Sequence, residues 1–175
     1  MKLFLAGDVM LGRGVDQILP HPSDPILYED YVTSAVHYVE LAERVHGTIH
    51  RPVAFDYVWG DVLVEFKKHQ PDVRFINLET AVTTSHAVTD KGINYRMHPA
   101  NVGVLGAANI DACTLANNHI LDWGTDGLIE TLQTLEQAGV GRVGAWTQSY
   151  RGVSAMDPRE TWERQRNSVR VWFDH

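Results

Sequence analysis

Short apolar runs alternate with longer segments of helical periodicity along most of this chain. The runs predicted as strands are residues 2–6, 73–76, 110–115 and 140–144. In the longer segments the apolar residues recur every three or four positions, which is the spacing of one face of an α-helix. Short buried strands separated by helices predict an α/β fold with a mostly parallel sheet.

The predicted helices lie between these strands. They cover residues 11–19, 31–45, 57–69, 99–106 and 127–138. Gly139 is expected to stop the last of them, because glycine readily adopts the left-handed turn that ends many helices. Residues 80–92 are rich in Thr, Ser and His and are predicted as an exposed loop, followed by a short strand at 94–96.

Composition and charge exclude several classes of function. With 175 residues the chain is long enough for one domain with a sizeable core. Its net charge of −7 argues against a nucleic-acid binder and against docking on anionic membranes. The single cysteine, Cys113, excludes an internal disulfide and a cysteine-built zinc site, and we expect it to pack as a small apolar side chain.

The sequence carries no recognisable targeting segment. Residues 1–6 are apolar but too few for the core of a signal peptide. No apolar stretch approaches the roughly 20 residues that cross a bilayer, so no membrane span is predicted. We therefore expect a cytoplasmic chain, and its oligomeric state is left open.

Polar side chains stand where three of the predicted strands end. They are Asp8, Glu79 and the pair Asn118 and His119. Ligands of open α/β sheets gather outside the carboxyl ends of the strands, so these side chains are expected to share one site. Two carboxylates, an amide and an imidazole suit Mn, Fe, Zn or Mg better than a soft metal. Such a metal would polarise a phosphoryl or carbonyl oxygen and activate a bound water.

Each of these residues also has a structural interpretation. Asp8 could cap the helix that begins near Leu11. Glu79 could be a solvated loop carboxylate, and Asn118 could satisfy backbone groups in a turn. His119 could be a hydrogen-bonded histidine without a catalytic role. Their joint position at strand ends favours a site.

Two arginines are candidates for binding an anion. Arg13 and Arg96 carry guanidinium groups that match a phosphate or carboxylate with two hydrogen bonds. Either one could instead be a charged residue with a structural partner. Asp122 and Asp126 are interpreted as turn or capping residues of the helix that follows them.

Three segments of the chain stand in the order found in a known family. They are Gly7-Asp8-Val9-Met10-Leu11-Gly12-Arg13, then Asn77-Leu78-Glu79-Thr80, then Ala116-Asn117-Asn118-His119 with Asp122 and Gly124-Thr125-Asp126-Gly127-Leu128. Together they resemble the CapA family of bacterial capsule or poly-γ-glutamate synthesis proteins, within the calcineurin-like metallophosphatase superfamily. The resemblance covers about residues 1–144.

The resemblance implies a four-layer α/β/β/α sandwich with a metal site at the strand ends. By analogy with the superfamily, Asp8 would bind a first metal ion and Glu79 would stand at the bridging carboxylate position. Asn118 would bind a second metal ion. His119 would be the catalytic proton donor or would stabilise an oxyanion beside it.

The resemblance also indicates a substrate class. Arg13, Arg96 and Asn117 are expected to contact the substrate, which would be an anionic polymer or a small phosphoester or γ-glutamyl compound. Family members make, anchor or trim anionic capsule polymers and are often membrane-associated. Many superfamily members carry histidine two positions after the first aspartate, where this chain has Met10.

The segment after residue 144 changes character. Residues 146–167 show almost no aliphatic periodicity, and only 169–173 resembles a strand. A terminal amphipathic helix at 158–166 is one interpretation, and a tail outside the fold is the other. We expect residues 1–144 to form the N-terminal part of a metallophosphatase-type domain, and 145–175 to be a divergent tail from truncation or a frameshift.

Two functions are consistent with these features. The first is a metal-dependent hydrolase of phosphoesterase or γ-glutamyl hydrolase type in capsule or poly-γ-glutamate synthesis. The second is a non-catalytic binding or assembly component, or an inactive fragment, because further histidine ligands are expected from the second half of the family domain.

Overall fold

The computed structural model describes residues 1–145, which form eleven helices and strands. In chain order these are β1 (Leu3–Val9), α1 (Arg13–Ile18), α2 (Val36–His46), α3 (Val62–His69), β2 (Val73–Leu78), β3 (Ala81–Val82), β4 (Arg96–Met97), α4 (Gly103–Ala107), β5 (Ala112–Thr114), α5 (Gly124–Gln137) and β6 (Gly141–Val143). Short 3-10 turns occur at Tyr57–Trp59 and Pro99–Asn101. The helix predicted at 158–166 and the strand predicted at 169–173 lie outside the described residues.

Four strands form the central sheet in the order β1-β2-β5-β6, and all of its neighbouring pairs are parallel. The predicted α/β class with a mostly parallel sheet is confirmed. Strands β3 and β4 form a separate two-stranded parallel ribbon. Parallel neighbours bring the carboxyl ends of their strands to the same edge, which fixes where the polar strand ends meet.

Several predicted boundaries differ from the structure. The helix predicted from residue 31 begins only at Val36, because Ser34 pairs with Ile26 in an isolated antiparallel bridge. The helix predicted at 57–69 is interrupted at Gly60, whose φ of 48° lies in the left-handed region that glycine tolerates best.

The prediction of an exposed loop over residues 80–92 is wrong for the first residues of that segment. The four residues from Thr80 to Thr83 are completely buried, and two of them form β3. Helix α5 covers them, and Oγ1 of Thr131 on that helix accepts a hydrogen bond from Val82 N at 2.9 Å. Oγ1 of Thr83 donates to Glu130, whereas Oγ1 of Thr80 has no hydrogen-bond partner within residues 1–145, so this segment is core without resembling a core strand in sequence.

One face of the central sheet carries the main core. Ile76, Leu78, Cys113 and Leu115 are fully buried there and pack in one cluster with apolar residues of α3, α4 and α5. Burial raises the pKa of Cys113 to about 12, so its thiol stays protonated near neutral pH. This agrees with the predicted packing role of that cysteine.

The opposite face of the sheet exposes apolar side chains. Leu3, Leu5 and Val143 are 53%, 67% and 51% exposed. The strand register places Leu5 opposite Phe75 on this face. Leu3 lies on the same face, because side chains two positions apart on a strand point to the same side of the sheet. None of the helices within residues 1–145 is both long enough and apolar enough to span a bilayer.

Candidate functional site

A bulge at the end of β1 sets the direction of Asp8. The register of β1 on β2 shifts between Ala6 and Val9, so that two residues of β1 stand opposite Asn77 alone. Asp8 has a φ of 48° and accepts a hydrogen bond from Nδ2 of Asn77 at 3.2 Å. Bulges of this kind often redirect a side chain beside a functional site. The capping alternative for Asp8 is wrong, because Gly12 is the N-cap residue of α1 and no side chain caps that helix.

Asn77 joins the strand ends into one group. Its Nδ2 donates to Glu79 Oε2 as well as to Asp8, and its Oδ1 accepts from Nδ2 of Asn117 at 3.0 Å. The same Asn117 nitrogen donates to the backbone oxygen of Leu78 at 2.8 Å. The structure therefore brings Asp8, Glu79 and Asn117 together at the carboxyl ends of β1, β2 and β5.

The donor set at this edge fits a hard cation. Asp8 is exposed and Glu79 is half-buried, and neither carboxylate has a lysine, arginine or histidine partner within residues 1–145. In that part of the chain no three His, Cys, Asp or Glu residues form a cluster that could hold a metal. A cation here would complete its shell with amide, carbonyl or water oxygens, which Mg²⁺ and Mn²⁺ accept more readily than Zn²⁺.

Asn117 and Asn118 have different roles in the turn after β5. Oδ1 of Asn117 accepts a hydrogen bond from His119 N at 3.0 Å, so Asn117 is the residue that satisfies the turn backbone. Asn118 is exposed, and its side chain makes no hydrogen bond inside residues 1–145. Its backbone oxygen accepts from Lys91 Nζ at 2.6 Å. The Asn118 amide is thus available to a ligand.

His119 is oriented by a buried carboxylate. The imidazole is nearly buried, and its Nδ1 lies 2.7 Å from Oδ2 of Asp122, which is 0% exposed. This contact favours the tautomer in which Nδ1–H donates to Asp122, and it leaves Nε2 without a partner among the described residues. Asp122 also accepts from Tyr95 N at 2.6 Å and Lys91 Nζ at 2.5 Å. The capping interpretation of Asp122 is therefore wrong, since its oxygens are used inside the site.

Aromatic rings connect His119 to Arg13. The Tyr95 ring stacks on His119 with centroids 3.9 Å apart, and the Arg13 guanidinium lies 4.8 Å from the Tyr95 centroid. Arg13 also forms an ion pair with the buried carboxylate of Glu29. The Arg13 guanidinium also packs on the ring of Tyr38. Burial and a hydrogen bond to Glu29 raise the pKa of Tyr38 to about 12. Arg13 has the structural partner that the sequence allowed, and substrate contact stays a prediction.

Arg96 is held inside the fold. It is 8% exposed, and it donates to the backbone oxygens of Ser85 at 2.9 Å and Asp24 at 3.2 Å. Its guanidinium packs 4.0 Å from the centroid of Trp123. Burial lowers the pKa of Arg96 from its usual value. These contacts describe a structural cation, and a role in substrate binding stays a prediction.

Sequence reasoning missed four residues of this site. They are Asn77, Lys91, Tyr95 and Asp122. Two of them carried a signal, because Asn77 is an amide inside an apolar strand and Asp122 follows His119 by three positions. Lys91 and Tyr95 reach the site from a distant loop, so no local pattern indicates them.

Comparison with known proteins identifies similar sequences. The family model for the bacterial capsule synthesis protein PGA_cap matches residues 2–154. A probable polyglutamine synthesis accessory protein of Mycobacterium tuberculosis is 51% identical over 146 residues, which is 83% of this chain and 38% of the relative.

More distant similarity extends to Bacillus. The capsule biosynthesis protein CapA of Bacillus anthracis is 26% identical over 98% of this chain and 33% of its own length. The PGA biosynthesis protein CapA of Bacillus subtilis is 27% identical over 79% of this chain and 28% of its own length. The chain thus matches about a third of the length of each of these relatives.

Proposed function

This chain belongs to the PGA_cap family of bacterial capsule synthesis proteins, and we propose that it is a metal-dependent hydrolase of capsule or poly-γ-glutamate synthesis. The observation that carries the proposal is the meeting of two carboxylates, Asp8 and Glu79, on the Asn77 amide at the carboxyl edge of the sheet. The nearly buried His119 is linked to the same amide through Asn117. The bond cleaved is proposed to be a phosphoester or a γ-glutamyl amide.

In this proposal Asp8, Glu79 and Asn118 supply oxygen ligands to a divalent cation. Mg²⁺ or Mn²⁺ fits the oxygen donors best, with Fe and Zn as the other candidates. When bound, the cation would polarise the scissile oxygen and lower the pKa of a water ligand. Asn77 keeps the two carboxylates side by side, so little rearrangement is needed to bind the cation.

His119 is proposed to move the proton during bond cleavage. Its Nδ1–H donates to Asp122, so Nε2 is the nitrogen that exchanges a proton with the leaving group. Asp122 fixes the tautomer and the ring orientation. Lys91, 26% exposed at its side chain, balances the buried charge of Asp122.

An anionic substrate is supported by the surroundings of the His119 ring. Arg13 lies one aromatic ring away from it, because Tyr95 contacts both. Arg13 already forms an ion pair with the buried Glu29, but its buried Nε has no hydrogen-bond partner within residues 1–145, and a phosphate or carboxylate beside the imidazole is proposed to pair with that donor. Asn117 is proposed to contact the substrate from the neighbouring turn. The names of the Bacillus relatives refer to capsule and PGA biosynthesis, which supports a polymer substrate.

Metal binding is tested by thermal unfolding in the presence of Mn²⁺. A site in the native state raises Tm by several degrees at saturating metal. Asp8→Asn and Glu79→Gln should each remove most of this rise. Glu136→Gln is the matched control, since Glu136 is exposed on α5 and, among the residues that the structure describes, pairs only with Arg142. Equal rises in all four proteins would contradict the proposed ligands.

Catalysis is tested separately with His119→Gln. We expect this variant to keep the Mn²⁺-dependent rise in Tm and to lose about 10²–10⁴-fold in turnover, the range typical of general acid–base groups. Suitable substrates are bis(p-nitrophenyl) phosphate and γ-glutamyl p-nitroanilide. Metal-dependent turnover that survives His119→Gln would contradict the assigned role.

A second candidate function is a non-catalytic binding or assembly component. The observation that favours it is the shortage of ligands, since no cluster of three His, Cys, Asp or Glu residues occurs within residues 1–145. This candidate predicts metal binding or polymer binding without turnover of either substrate. A Tm rise with Mn²⁺ and no hydrolysis by the unaltered chain would favour it over the hydrolase.

A further inference from the structure

A groove of about 520 Å³ lies at the opposite edge of the sheet from the candidate site. It opens between α3, α4 and the start of β2. Leu63, Phe66 and Ala107 form its apolar part, and Lys67, Arg74 and Asn109 are among its polar lining. The volume is in the range of about 300–1,000 Å³ that small-molecule sites occupy.

Arg74 is the unusual residue of this groove. Arg74, Ile76 and Leu78 occupy every second position of β2 and therefore lie on the same face of the sheet. Ile76 and Leu78 are both 0% exposed, so this is the core face. The Arg74 guanidinium lies 5.0 Å from the centroid of Phe66. Its Nε is buried and has no hydrogen-bond partner within residues 1–145.

Arg74 also has no counterion in the described part of the chain, because none of the ion pairs there includes it. Arg74 is half-buried, and its Nε is the guanidinium donor that is both buried and unpaired within residues 1–145, which is unfavourable. The contact with the Phe66 ring offsets only part of that cost, since an aromatic face accepts no hydrogen bond in the plane of the guanidinium. An anion bound in the groove would give Nε of Arg74 the acceptor that it lacks.

The other charges around the groove favour a negative ligand. Lys67 adds a second positive charge, and Asp56 is the single carboxylate of the lining. Within the lining the two cations outnumber Asp56, while the carboxylate of Asp111 beside the groove accepts a hydrogen bond from the Arg74 backbone N at 2.7 Å. The apolar surface beside Arg74 suits a hydrocarbon group more than a bare inorganic anion.

We propose that this groove binds a small organic carboxylate with an apolar body. The carboxylate pairs with the guanidinium of Arg74, whose planar fork matches two oxygen atoms. The hydrocarbon part packs against Leu63, Phe66 and Ala107. The site is separate from the proposed hydrolase site, so it holds whether or not that proposal does.

Hexanoate and its neutral analogue hexanamide are the probes. Titration of the isotope-labelled chain followed by NMR should shift the amide signals of Phe66, Arg74, Ala107 and Asn109 with hexanoate. Loss of one charge-assisted pair lowers affinity about tenfold or more. We expect that loss for hexanamide with the unaltered chain and for hexanoate with Arg74→Gln. Arg142→Gln, at a half-buried arginine of β6 that pairs with Glu136 away from the groove, should change nothing.

Two outcomes would overturn the site. One is that hexanoate shifts none of these signals or binds no better than hexanamide. The other is that folded Arg74→Gln binds hexanoate as well as the unaltered chain does. If Arg74→Gln does not fold, the site is tested with Ala107→Leu. A larger side chain at position 107 fills the groove and should abolish hexanoate binding. Unchanged hexanoate binding in folded Ala107→Leu would then refute the proposal.

Discussion

Single polar side chains hold the candidate site together from inside. Asp122 accepts hydrogen bonds from a lysine, an imidazole and a backbone amide, and Asn77 contacts three polar side chains. Such groups are fully used only in one arrangement, and each becomes costly when a partner is removed. The site therefore depends on individual residues that a sequence pattern marks only weakly.

Replacing Asp122 by asparagine should destabilise the fold by about 2–3 kcal/mol. The substitution leaves the ammonium of Lys91 without its carboxylate in a largely buried setting, and the partial exposure of Lys91 keeps the cost below that of a fully buried pair. Urea unfolding measures the change. Asp126→Asn is the control, because Asp126 is exposed in the first turn of α5. A loss below about 0.5 kcal/mol for Asp122→Asn would refute this assignment.

Gly12→Ala should also be destabilising, by about 1–3 kcal/mol. A Cβ at Gly12 would stand 2.8 Å from the backbone oxygen of Arg96, which cannot move without disturbing β4. Gly106→Ala is the matched contrast, since nothing lies within 4 Å of a Cβ there and the residue is inside α4. Alanine favours a helix over glycine, so Gly106→Ala should raise Tm slightly. Calorimetry gives Tm for both variants. A fall in Tm for Gly12→Ala alone shows that the cost comes from the close approach of the Arg96 backbone and not from replacing a glycine in general.

Contacts between elements explain which parts of the fold escaped prediction. Strands β1, β2 and β5 were predictable because aliphatic residues mark them, and their order along the chain already implied a parallel sheet. Strand β3 was not, because Thr80 and Thr83 look solvent-exposed in sequence, and only the packing of α5 makes them core residues. The same limit applies to Lys91, whose partner Asp122 is 31 positions away.

The junction of α5 with β3 predicts a pH dependence of stability. Burial acts to raise the pKa of Glu130, but hydrogen bonds from Thr83 and Thr84 outweigh it and lower the pKa below the usual 4.5. A lowered folded-state pKa stabilises the fold above the unfolded-state pKa, and that contribution disappears as the pH falls through the folded-state value.

Glu130→Gln isolates this contribution. The variant should unfold at a lower temperature than the unaltered chain at pH 7, and the gap should close as the pH falls below about 4. Tm measured at a series of pH values gives the comparison. A gap that stays constant with pH would mean that the Glu130 carboxylate charge does not stabilise the junction.

The distribution of apolar surface distinguishes the two faces of the sheet. One face is packed by helices, while Leu3 and Leu5 are exposed on the other, on a strand at the edge of the sheet. Exposed apolar groups on an edge strand promote self-association. The exposure of Leu3 and Leu5 could not be predicted from the sequence, because nearly every residue at the start of β1 is apolar. The exposed face becomes apparent only when the sheet is assembled.

A Leu3→Thr, Leu5→Thr double variant should lower self-association with little loss of stability. The two side chains are more than half exposed, so their removal forfeits little burial. Sedimentation over a range of concentrations measures association. Ile76→Thr is the control on the packed face, where a fully buried side chain is lost and Tm should fall sharply. Unchanged association of the double variant would show that this face is not responsible.

The hydrogen bonds of Asn77 have a consequence for the order of folding. They connect residues 69 positions apart on one side and 40 positions apart on the other. Contacts of such long range form slowly, because long loops must close first. The group of side chains around Asn77 therefore comes into being only when β1 and β5 have both paired with β2. Any ligand that needs all three strand ends will select chains whose sheet is complete over those partially folded ones.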